Sequence, residues 1–249
     1  MANKIYGLIG FPLGHSFSKS YFNKKFSNEQ IDAEYQNFEI EDINELRNII
    51  QSDSISGLNV TIPHKRAVIN LLDEIDSVAE KVGAVNVIKF MHTEQGIKLK
   101  GYNTDVIGFT NSISKIIKPN NKKALILGTG GVSKAIDYSL KEMGIETLFV
   151  SRKTKDDAIS YEMLNKEIMS EYTIIVNASP VGMYPQIDSA PQIPYEFITD
   201  NHVVFDTIYN PSETMLMKLA AEKGATVKNG LEMLEGQAIA AWEIWNNKQ

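Results

Sequence analysis

The stretch "LILGTGGVSKA", residues 125–135, is the part of this 249-residue chain that best indicates its fold. A short apolar run leads directly into a glycine-rich turn, and the turn leads into residues that favour a helix. Gly128, Gly130 and Gly131 allow a tight turn that leaves backbone N–H groups open at the start of that helix. A strand, a turn and a helix in this order are typical of an α/β sheet that binds a dinucleotide pyrophosphate.

The glycine pattern alone is weak, because Ser133 stands where the common fingerprint has its third glycine. A simple tight turn between a strand and a helix would explain two of the three glycines. The strand, the helix and the next strand are all in place, and together they favour cofactor binding. We therefore expect the cofactor to contact Gly128, Thr129, Gly130, Gly131, Val132 and Ser133.

The following strand indicates which dinucleotide is bound. NAD sites carry an acid about 20 residues after the glycines, which accepts a hydrogen bond from the ribose 2′-hydroxyl. Here the strand "TLFV" runs into "SRKTK", residues 151–155, which contains no acid. Arg152 can stack on adenine and bind a 2′-phosphate, and Lys153, Thr154 and Lys155 could add donors. A solvated basic turn is the alternative, but the missing acid favours NADP, with Ser151, Arg152 and Lys153 in its site.

The composition is that of a globular protein, with 43% hydrophobic and 22% charged residues. A net charge of −6 disfavours nucleic acid and anionic membranes as partners, although a local basic site could still hold an anionic ligand. The chain has no cysteine, which excludes disulfides and thiolate chemistry. The histidines are not spaced as metal ligands, so we expect no metal at His15, His64, His92 or His202.

The first 16 residues, "MANKIYGLIGFPLGHS", lack the apolar region and cleavage site of a signal peptide. No segment approaches the roughly 20 apolar residues of a membrane span. We therefore expect a soluble, cytoplasmic protein with a small-molecule substrate. The sequence leaves open whether it is a monomer or a homodimer.

Strands and helices alternate along the first hundred residues, which predicts an α/β domain of mostly parallel character. The polar segment "PNNKK", residues 119–123, marks a plausible boundary, and a second α/β series follows it. An amphipathic helix, "LEMLEGQAIAAWEIWNN", closes the chain, and we expect its Trp242, Ile244 and Trp245 to pack in a core. The prediction is two α/β domains around a cleft, the second of them Rossmann-like.

Seven short segments carry further information through their order and spacing: "NVTIPHK" (59–65), "GAVN" (83–86), "NTD" (103–105), "GTGGVSKA" (128–135), "NASPVGM" (177–183), "DTIYNP" (206–211) and "GLEMLEGQA" (230–238). In this register they resemble the shikimate dehydrogenase family. The resemblance extends from "GFPLGHSFSKSYFN" to the last helix, and seven motifs in register are highly specific.

The resemblance implies an NADPH-dependent, reversible reduction of 3-dehydroshikimate to shikimate, a step of aromatic amino-acid biosynthesis. It implies a substrate domain of residues 1–104, with the C-terminal helix 231–249 packed back on it, and an NADP-binding domain of residues 105–230. Two alternatives stay open. One is the quinate/shikimate branch of the family, and the other is a non-catalytic NADP-binding regulator.

The resemblance also implies the residues of the site. Ser16 and Ser18 match the pair that binds the substrate carboxylate, but Lys19 replaces the family's usual proline. The other substrate residues carried over are Asn59, Thr61, Asn86, Tyr209 and Gln237. Short polar groups of this kind suit a small ring acid with three hydroxyls. A ligand that lacks one of these hydroxyls binds less well, because it leaves a polar group of the site unpaired. By the same analogy Asn177, Ser179, Met183, Ile208 and Gly230 lie near the cofactor, although Pro180 and Gly182 could simply end a strand.

Lys65 and Asp105 are the expected catalytic residues. Oxidation of an alcohol requires removal of the hydroxyl proton, which Lys65 could accept, while Asp105 would orient it and the hydroxyl. Burial would lower the pKa of a lysine and a nearby carboxylate would raise it, so the two influences are opposed. Taken singly, Lys65 could be a surface lysine and Asp105 an acid that favours a helix dipole. His64 could line the cleft, although as a neighbour of Lys65 we expect it to point elsewhere.

Overall fold

The computed structural model describes residues 4–14, 16–51, 54–94, 96–154 and 157–247, with the side chain of His92 excepted. Two compact units make up the chain. One comprises Met1–Thr104 and Ala238–Gln249, and the other comprises Asp105–Gln237. Two residues named above, His15 and Lys155, lie outside the described residues.

The first unit is built on a six-stranded sheet of β1 (Lys4–Gly10), β2 (Ala33–Glu39), β3 (Ile55–Val60), β4 (Glu74–Ile75), β5 (Val87–Thr93) and β6 (Gly96–Tyr102). Its strand order is β2-β1-β3-β5-β6-β4. Strands β1, β2 and β3 are parallel, whereas β5 runs antiparallel to both β3 and β6. The helices are α1 (Phe17–Asn28), α2 (Leu46–Ile49) and α3 (Ser77–Val82). Short 3-10 turns occupy Ile43–Glu45 and Ala67–Leu71.

The segment "HKRAVINLLDEI", residues 64–75, has a sequence that predicts a helix, but the structure has only a 3-10 turn over Ala67–Leu71. Residues Glu74–Ile75 form β4 and pair with β6 instead. The reason is a pair of contacts made by Asp73, whose backbone N–H donates to the Leu99 carbonyl at 3.0 Å and whose carboxylate accepts from the Leu99 N–H at 2.7 Å. These long-range bonds fix the segment against the sheet edge, which local periodicity cannot reveal.

The second unit contains a fully parallel sheet of β7 (Lys123–Leu127), β8 (Glu146–Ser151), β9 (Ala158–Ser160), β10 (Ile174–Asn177), β11 (Val203–Asp206) and β12 (Thr226–Lys228). Its order is β12-β11-β10-β7-β8-β9, which is the doubly wound order 3-2-1-4-5-6 counted within the unit. The order reverses between β7 and β10, so ligands of such sheets bind beyond the carboxyl ends of these strands.

The helices of the second unit are α4 (Asp105–Ile113), α5 (Gly131–Glu142), α6 (Lys166–Glu171), α7 (Met215–Ala221) and the first part of α8 (Leu231–Asn246). The segment "TDVIGFTNSISKIIK", residues 104–118, has a sequence that predicts one helix up to Pro119, but α4 ends at Ile113, in a stretch rich in serine and isoleucine, which are weaker helix formers. No helix in the described part of the chain is long and apolar enough to cross a membrane.

The last part of α8 packs in the first unit. Trp245 is buried and donates its indole N–H to the Ile88 carbonyl at 3.1 Å. Its indole lies so close to Gly57 that a Cβ there would stand 2.4 Å from the ring. Trp242 and Ile244 pack against the same aromatic cluster, so the prediction that these three residues form part of a core is confirmed.

Candidate active site

The loops that follow β1 and β3 lie side by side in the first unit. Phe11 donates its N–H to the Ile62 carbonyl at 3.1 Å, and Thr61 donates to the Ile9 carbonyl at 2.9 Å. A Cβ on Gly10 would stand 2.4 Å from the Thr61 methyl group, so only glycine permits this approach. The loop that carries Ser16 and the loop that carries Thr61 therefore start from adjacent strand ends.

Ser16 caps the amino end of α1. Its hydroxyl oxygen accepts a hydrogen bond from the Lys19 N–H at 3.3 Å. Ser16 and Ser18 are half-buried, whereas the Lys19 side chain is exposed. A proline at position 19 would have no N–H to donate, so the exchange that separates this chain from the family pattern adds a capping bond to one of the two predicted carboxylate ligands.

Asn59 and Asn86 are buried and joined through their polar groups. The Asn59 side-chain N–H donates to the Asn86 carbonyl at 3.3 Å, and the Asn59 oxygen accepts from the Tyr35 hydroxyl at 2.7 Å. The Asn86 side chain in turn accepts from the Thr104 N–H at 2.7 Å. Three predicted substrate residues, Asn59, Asn86 and Thr61, thus lie at neighbouring strand ends of one unit.

Tyr35 was not among the predicted site residues, but its hydroxyl hydrogen-bonds Ser18 as well as Asn59. Its side chain is fully buried, and burial raises its pKa well above the usual value while the Ser18 bond lowers it. The alternating pattern of "AEYQNFE" does place Tyr35 on one face of β2 together with Asn37. A tyrosine on a buried face needs a partner for its hydroxyl, which is the signal that could have identified it.

Lys65 lies half-buried in the turn after β3, and its carbonyl accepts from the Val85 N–H at 2.8 Å. His64 is buried, with its Nε2 atom 2.8 Å from the Ile40 carbonyl, so it points to the backbone of Ile40, which agrees with the expectation that it points elsewhere. Asp105 is the first residue of α4 in the second unit and is buried. An acidic residue in the first turn stabilises a helix through its dipole.

Two further predicted substrate residues belong to the second unit. Tyr209 follows β11 and is exposed. Gln237 is buried in α8, and its side-chain N–H donates to the Leu234 carbonyl at 2.9 Å. Helices α4 and α8 pack closely at Gly108, one turn after Asp105, because a Cβ there would stand 2.9 Å from the Gln237 nitrogen.

The glycine turn lies at the point where the order of the second sheet reverses. Gly128 has a φ of +117°, and a Cβ there would stand 3.0 Å from the Ala178 carbonyl oxygen. At Gly130, by contrast, a Cβ would meet nothing within 4 Å, and Gly131 begins α5. The turn therefore approaches the loop after β10 closely but leaves open space before the helix, which is the space a pyrophosphate requires.

The remaining residues of the turn differ in what they present. Thr129 and Val132 are half-buried. Ser133 is fully buried, and its hydroxyl donates to the Gly130 carbonyl at 2.6 Å. The Ser133 side chain thus holds the turn together from inside, and the groups left to meet a ligand are backbone N–H groups.

The loops after β10 and β11 are joined through Asp206, which was not among the predicted site residues. Its carboxylate accepts from the Asn177 amide at 3.1 Å, from the Ile208 N–H at 3.0 Å and from the Thr214 hydroxyl at 2.7 Å. Burial raises the pKa of Asp206 to about 6, although these three bonds lower it. Through these bonds, Asp206 holds two predicted cofactor residues, Asn177 and Ile208, at fixed positions relative to each other.

Three other predicted cofactor residues lie around this network. The Asn177 oxygen accepts from the Ser179 hydroxyl at 2.7 Å. Gly230 donates its N–H to the Ile208 carbonyl at 3.0 Å, and a Cβ at Gly230 would clash with the Thr207 carbonyl at 2.1 Å. Met183 is exposed beyond the loop after β10.

The basic turn after β8 is exposed at Arg152 and Lys153, while Ser151 is buried and donates its hydroxyl to the Lys153 carbonyl. Arg152 lies close enough to Tyr161 to lower the pKa of that phenol, which burial raises. Lys134 of α5 forms an ion pair with Asp157 at 3.3 Å, just beyond the turn. Two cations exposed at the end of β8 fit a 2′-phosphate. Across the described ranges, no group of three histidine, aspartate or glutamate residues could hold a metal ion.

Comparisons with known proteins indicate the family of the chain. The family model described as the shikimate dehydrogenase substrate binding domain matches residues 8–88. The chain is 41% identical to the NADP⁺ shikimate dehydrogenase of Methanosphaera stadtmanae over 98% of this chain and 92% of that protein. Both lengths are nearly complete, so the similarity includes both units.

Two solved structures show the same fold. Shikimate 5-dehydrogenase of Thermus thermophilus in complex with NADP(H) and shikimate has a TM-score of 0.83 at 26% identity, covering 98% of this chain and 93% of that one. Quinate dehydrogenase of Corynebacterium glutamicum in complex with NAD has a TM-score of 0.86 at 25% identity, covering 98% and 94%. With 41% identity over nearly its full length to a curated relative, the chain belongs to the shikimate dehydrogenase family.

Proposed function

We propose that this protein is an NADP-dependent shikimate dehydrogenase, which reversibly reduces 3-dehydroshikimate to shikimate in the pathway to the aromatic amino acids. The observation that carries the proposal is the polar cluster at the strand ends of the first unit. Ser16, Ser18, Asn59, Thr61 and Asn86 are short donors and acceptors, and they start from the neighbouring ends of β1, β3 and β5. Such a cluster suits a small polyhydroxylated acid, because an apolar ligand would leave each polar side chain of the cluster unpaired.

In this proposal residues 1–104 bind the substrate, and Ser16 and Ser18 hold its carboxylate through their hydroxyls. Asn59, Thr61 and Asn86 bind its ring hydroxyls. Tyr209 and Gln237, which belong to the second unit, add a phenol and an amide to the set. Hydroxyls recognised one by one would explain why the groups are many, short and polar.

Residues 105–230 bind NADP in this proposal. The open space at Gly130 and the backbone N–H groups at the start of α5 suit the pyrophosphate, and the exposed Arg152 and Lys153 suit the 2′-phosphate. Asn177 and Ser179 would lie beside the cofactor ribose or phosphates, with Met183 beyond them, and Ile208 and Gly230 would contact the nicotinamide side. When bound, the cofactor supplies or accepts the hydride.

Lys65 is the proposed acid–base residue. In the direction of oxidation its amino group takes the proton from the shikimate hydroxyl, while the hydride leaves the carbon atom that bears this hydroxyl. In the direction of reduction the ammonium group returns that proton to the carbonyl oxygen. Asp105 is the second proposed catalytic residue, and it orients the reacting hydroxyl. We further expect the enzyme in the cytoplasm, as a monomer or a homodimer.

The proposal is tested by absorbance at the nicotinamide band with four pairs of reactants. Shikimate and quinate are each combined with NADP⁺ and with NAD⁺. Of the four pairs, only shikimate with NADP⁺ is expected to give rapid reduction. Comparable rates with quinate would place the protein in the quinate/shikimate branch, and a protein that binds NADP⁺ but reduces neither cofactor with either acid would be a binding protein.

The quinate branch is the second candidate, and the fold similarity to the quinate dehydrogenase with bound NAD favours it. The basic turn weighs against it, because Arg152 and Lys153 would have no phosphate to bind at the 2′-position of NAD. Arg152→Ala is therefore expected to weaken NADP⁺ binding by at least about tenfold, since it removes a charge-assisted contact, and to leave NAD⁺ binding unchanged.

A further inference from the structure

The ring of Tyr35 is held in a fixed position in the first unit. It stacks on Phe22 with the two ring centroids 4.9 Å apart and an interplanar angle of 10°. Its backbone is bracketed by Asn23, whose amide donates to the Tyr35 carbonyl at 3.0 Å and whose oxygen accepts the Tyr35 N–H at 2.8 Å. The hydroxyl therefore has little freedom to move away from the two polar residues beside it.

The hydroxyl determines how the Asn59 amide is turned. An amide side chain has an acceptor end and a donor end, and only its hydrogen bonds decide which end faces which neighbour. The phenol donates its single proton to the Asn59 oxygen at 2.7 Å, so the donor end must face the other way. One N–H of that end goes to the Asn86 carbonyl at 3.3 Å, which leaves the second as a donor for a ligand.

The same hydroxyl also contacts Ser18, one of the two serines expected to hold the substrate carboxylate. Because the phenol proton is used by Asn59, the phenol oxygen is an acceptor toward Ser18. The Ser18 hydroxyl is thereby held at a defined place until a carboxylate offers it a stronger, charged acceptor. One buried oxygen thus contacts two residues expected to bind opposite ends of a small ring acid.

We propose that Tyr35 is a positioning residue for the substrate: it fixes Asn59 as a hydrogen-bond donor to a ring hydroxyl and holds the Ser18 hydroxyl in place before the carboxylate binds. This inference rests on the proposed function. It assigns a direction to the Asn59 contact, with the amide donating and the substrate hydroxyl accepting. It also assigns a role to a residue that itself has no surface from which to touch the substrate.

The test is Tyr35→Phe, which removes one oxygen and keeps the ring. Its KM for shikimate is expected to rise about fivefold to thirtyfold, the effect of losing one well-placed hydrogen bond. The kcat and the KM for NADP⁺ are expected to change less than about twofold, because the reacting groups are not touched. The matched control is Tyr6→Phe, which removes the hydroxyl of a second buried tyrosine in the same aromatic cluster and should leave both KM values unchanged.

A second variant tests the direction of the Asn59 contact without altering Tyr35. Asn59→Asp keeps an acceptor for the Tyr35 hydroxyl but has no N–H to donate, so the KM for shikimate should rise at least as much as in Tyr35→Phe. In the Asn59→Ala background, Tyr35→Phe should raise the KM much less than it does in the wild type, because the two residues act as a unit.

An active wild type with an unchanged KM for shikimate in Tyr35→Phe would overturn the inference alone. Equal increases in the KM for shikimate and for NADP⁺ would do the same, because they would indicate a general structural role. If Tyr35→Phe did not fold, an unchanged KM in Asn59→Asp would still overturn it. A wild-type protein that does not oxidise shikimate would overturn the proposed function and this inference with it.

Discussion

Lys19 occupies a position at which the backbone matters more than the side chain. Its N–H caps Ser16, while its ammonium group is exposed to solvent. The family's usual proline would leave the Ser16 oxygen without this donor, so the two kinds of sequence hold Ser16, a proposed carboxylate ligand, differently. Any effect of this substitution on substrate binding should therefore come from the backbone N–H of residue 19 and not from its side chain.

Two variants separate the N–H from the charge. Lys19→Ala keeps the N–H and is expected to leave the KM for shikimate unchanged. Lys19→Pro removes it and is expected to change that KM severalfold while the KM for NADP⁺ stays constant. The free energy of unfolding should fall by no more than about 1 kcal/mol, the usual worth of a serine cap. Steady-state kinetics of both variants would contradict this account if Lys19→Ala had the larger effect.

The turn between β7 and α5 offers a test at the level of a single structural element. Gly130 has a φ of −80°, which alanine adopts freely, and a Cβ there would meet no protein atom within 4 Å. Gly130→Ala is therefore expected to leave the melting temperature almost unchanged. If the pyrophosphate lies in that space, the added methyl group should weaken NADP⁺ binding by at least about tenfold, by loss of close backbone approach.

Gly128→Ala is the comparison for this variant. Its φ of +117° and the nearby Ala178 carbonyl mean that a Cβ would strain the turn itself, so stability and NADP⁺ binding should both fall. Isothermal titration with NADP⁺ beside thermal melts distinguishes the two. Unchanged NADP⁺ affinity in Gly130→Ala would show that the cofactor does not use this turn.

The Asp206 network predicts a pH dependence of stability. The folded pKa of about 6 lies above the ordinary value of 3.8, so the folded protein holds the proton more tightly than the unfolded chain does. The stability that this group contributes is therefore fully present below about pH 4 and is lost as the pH rises through about 6. The loss is on the order of 3 kcal/mol for a difference of about two pKa units.

Asp206→Asn removes the titrating group and can keep hydrogen bonds to Ile208 and Thr214. The free energy of unfolding of this variant, measured by urea melts, should rise relative to that of the wild type as the pH increases from 4.5 to 7.5. Asp188→Asn, at an exposed position, is the control and should show no such trend. A constant difference between Asp206→Asn and the wild type across this range would argue against a raised pKa.

At the scale of the whole molecule, the sequence predicted the features that depend on local patterns. The apolar runs at 125–127 and 174–176 and the glycines after the first of them were enough to predict a Rossmann-like sheet. It missed β9 and α6, because three and six residues carry too little periodicity to distinguish a strand or a helix from a loop. It also missed β4, a two-residue strand that forms by pairing with β6, far along the chain.

The site divides in the same way. Lys65, Asp105 and the substrate residues could be named because they occur in motifs with fixed spacing. Tyr35 lies outside these motifs and Asp206 lies within "DTIYNP", but the role of each depends on hydrogen bonds to residues elsewhere in the chain: Asn59 is 24 residues from Tyr35 and Asn177 is 29 residues from Asp206. Buried polar groups must find partners, but the sequence does not say which partners these are.

The most direct measurement of the central claim is the rate of NADP⁺ reduction with shikimate for the wild type, Lys65→Ala and Arg66→Ala. Arg66 is the exposed neighbour and serves as the control for a lost cation. We expect the wild type and Arg66→Ala to reduce NADP⁺ at similar, high rates. The kcat of Lys65→Ala is expected to be lower by a factor of about 10²–10⁴, the usual contribution of a general base. A Lys65→Ala variant that keeps its kcat, or a folded wild type that binds NADP⁺ without oxidising shikimate, would contradict the central claim.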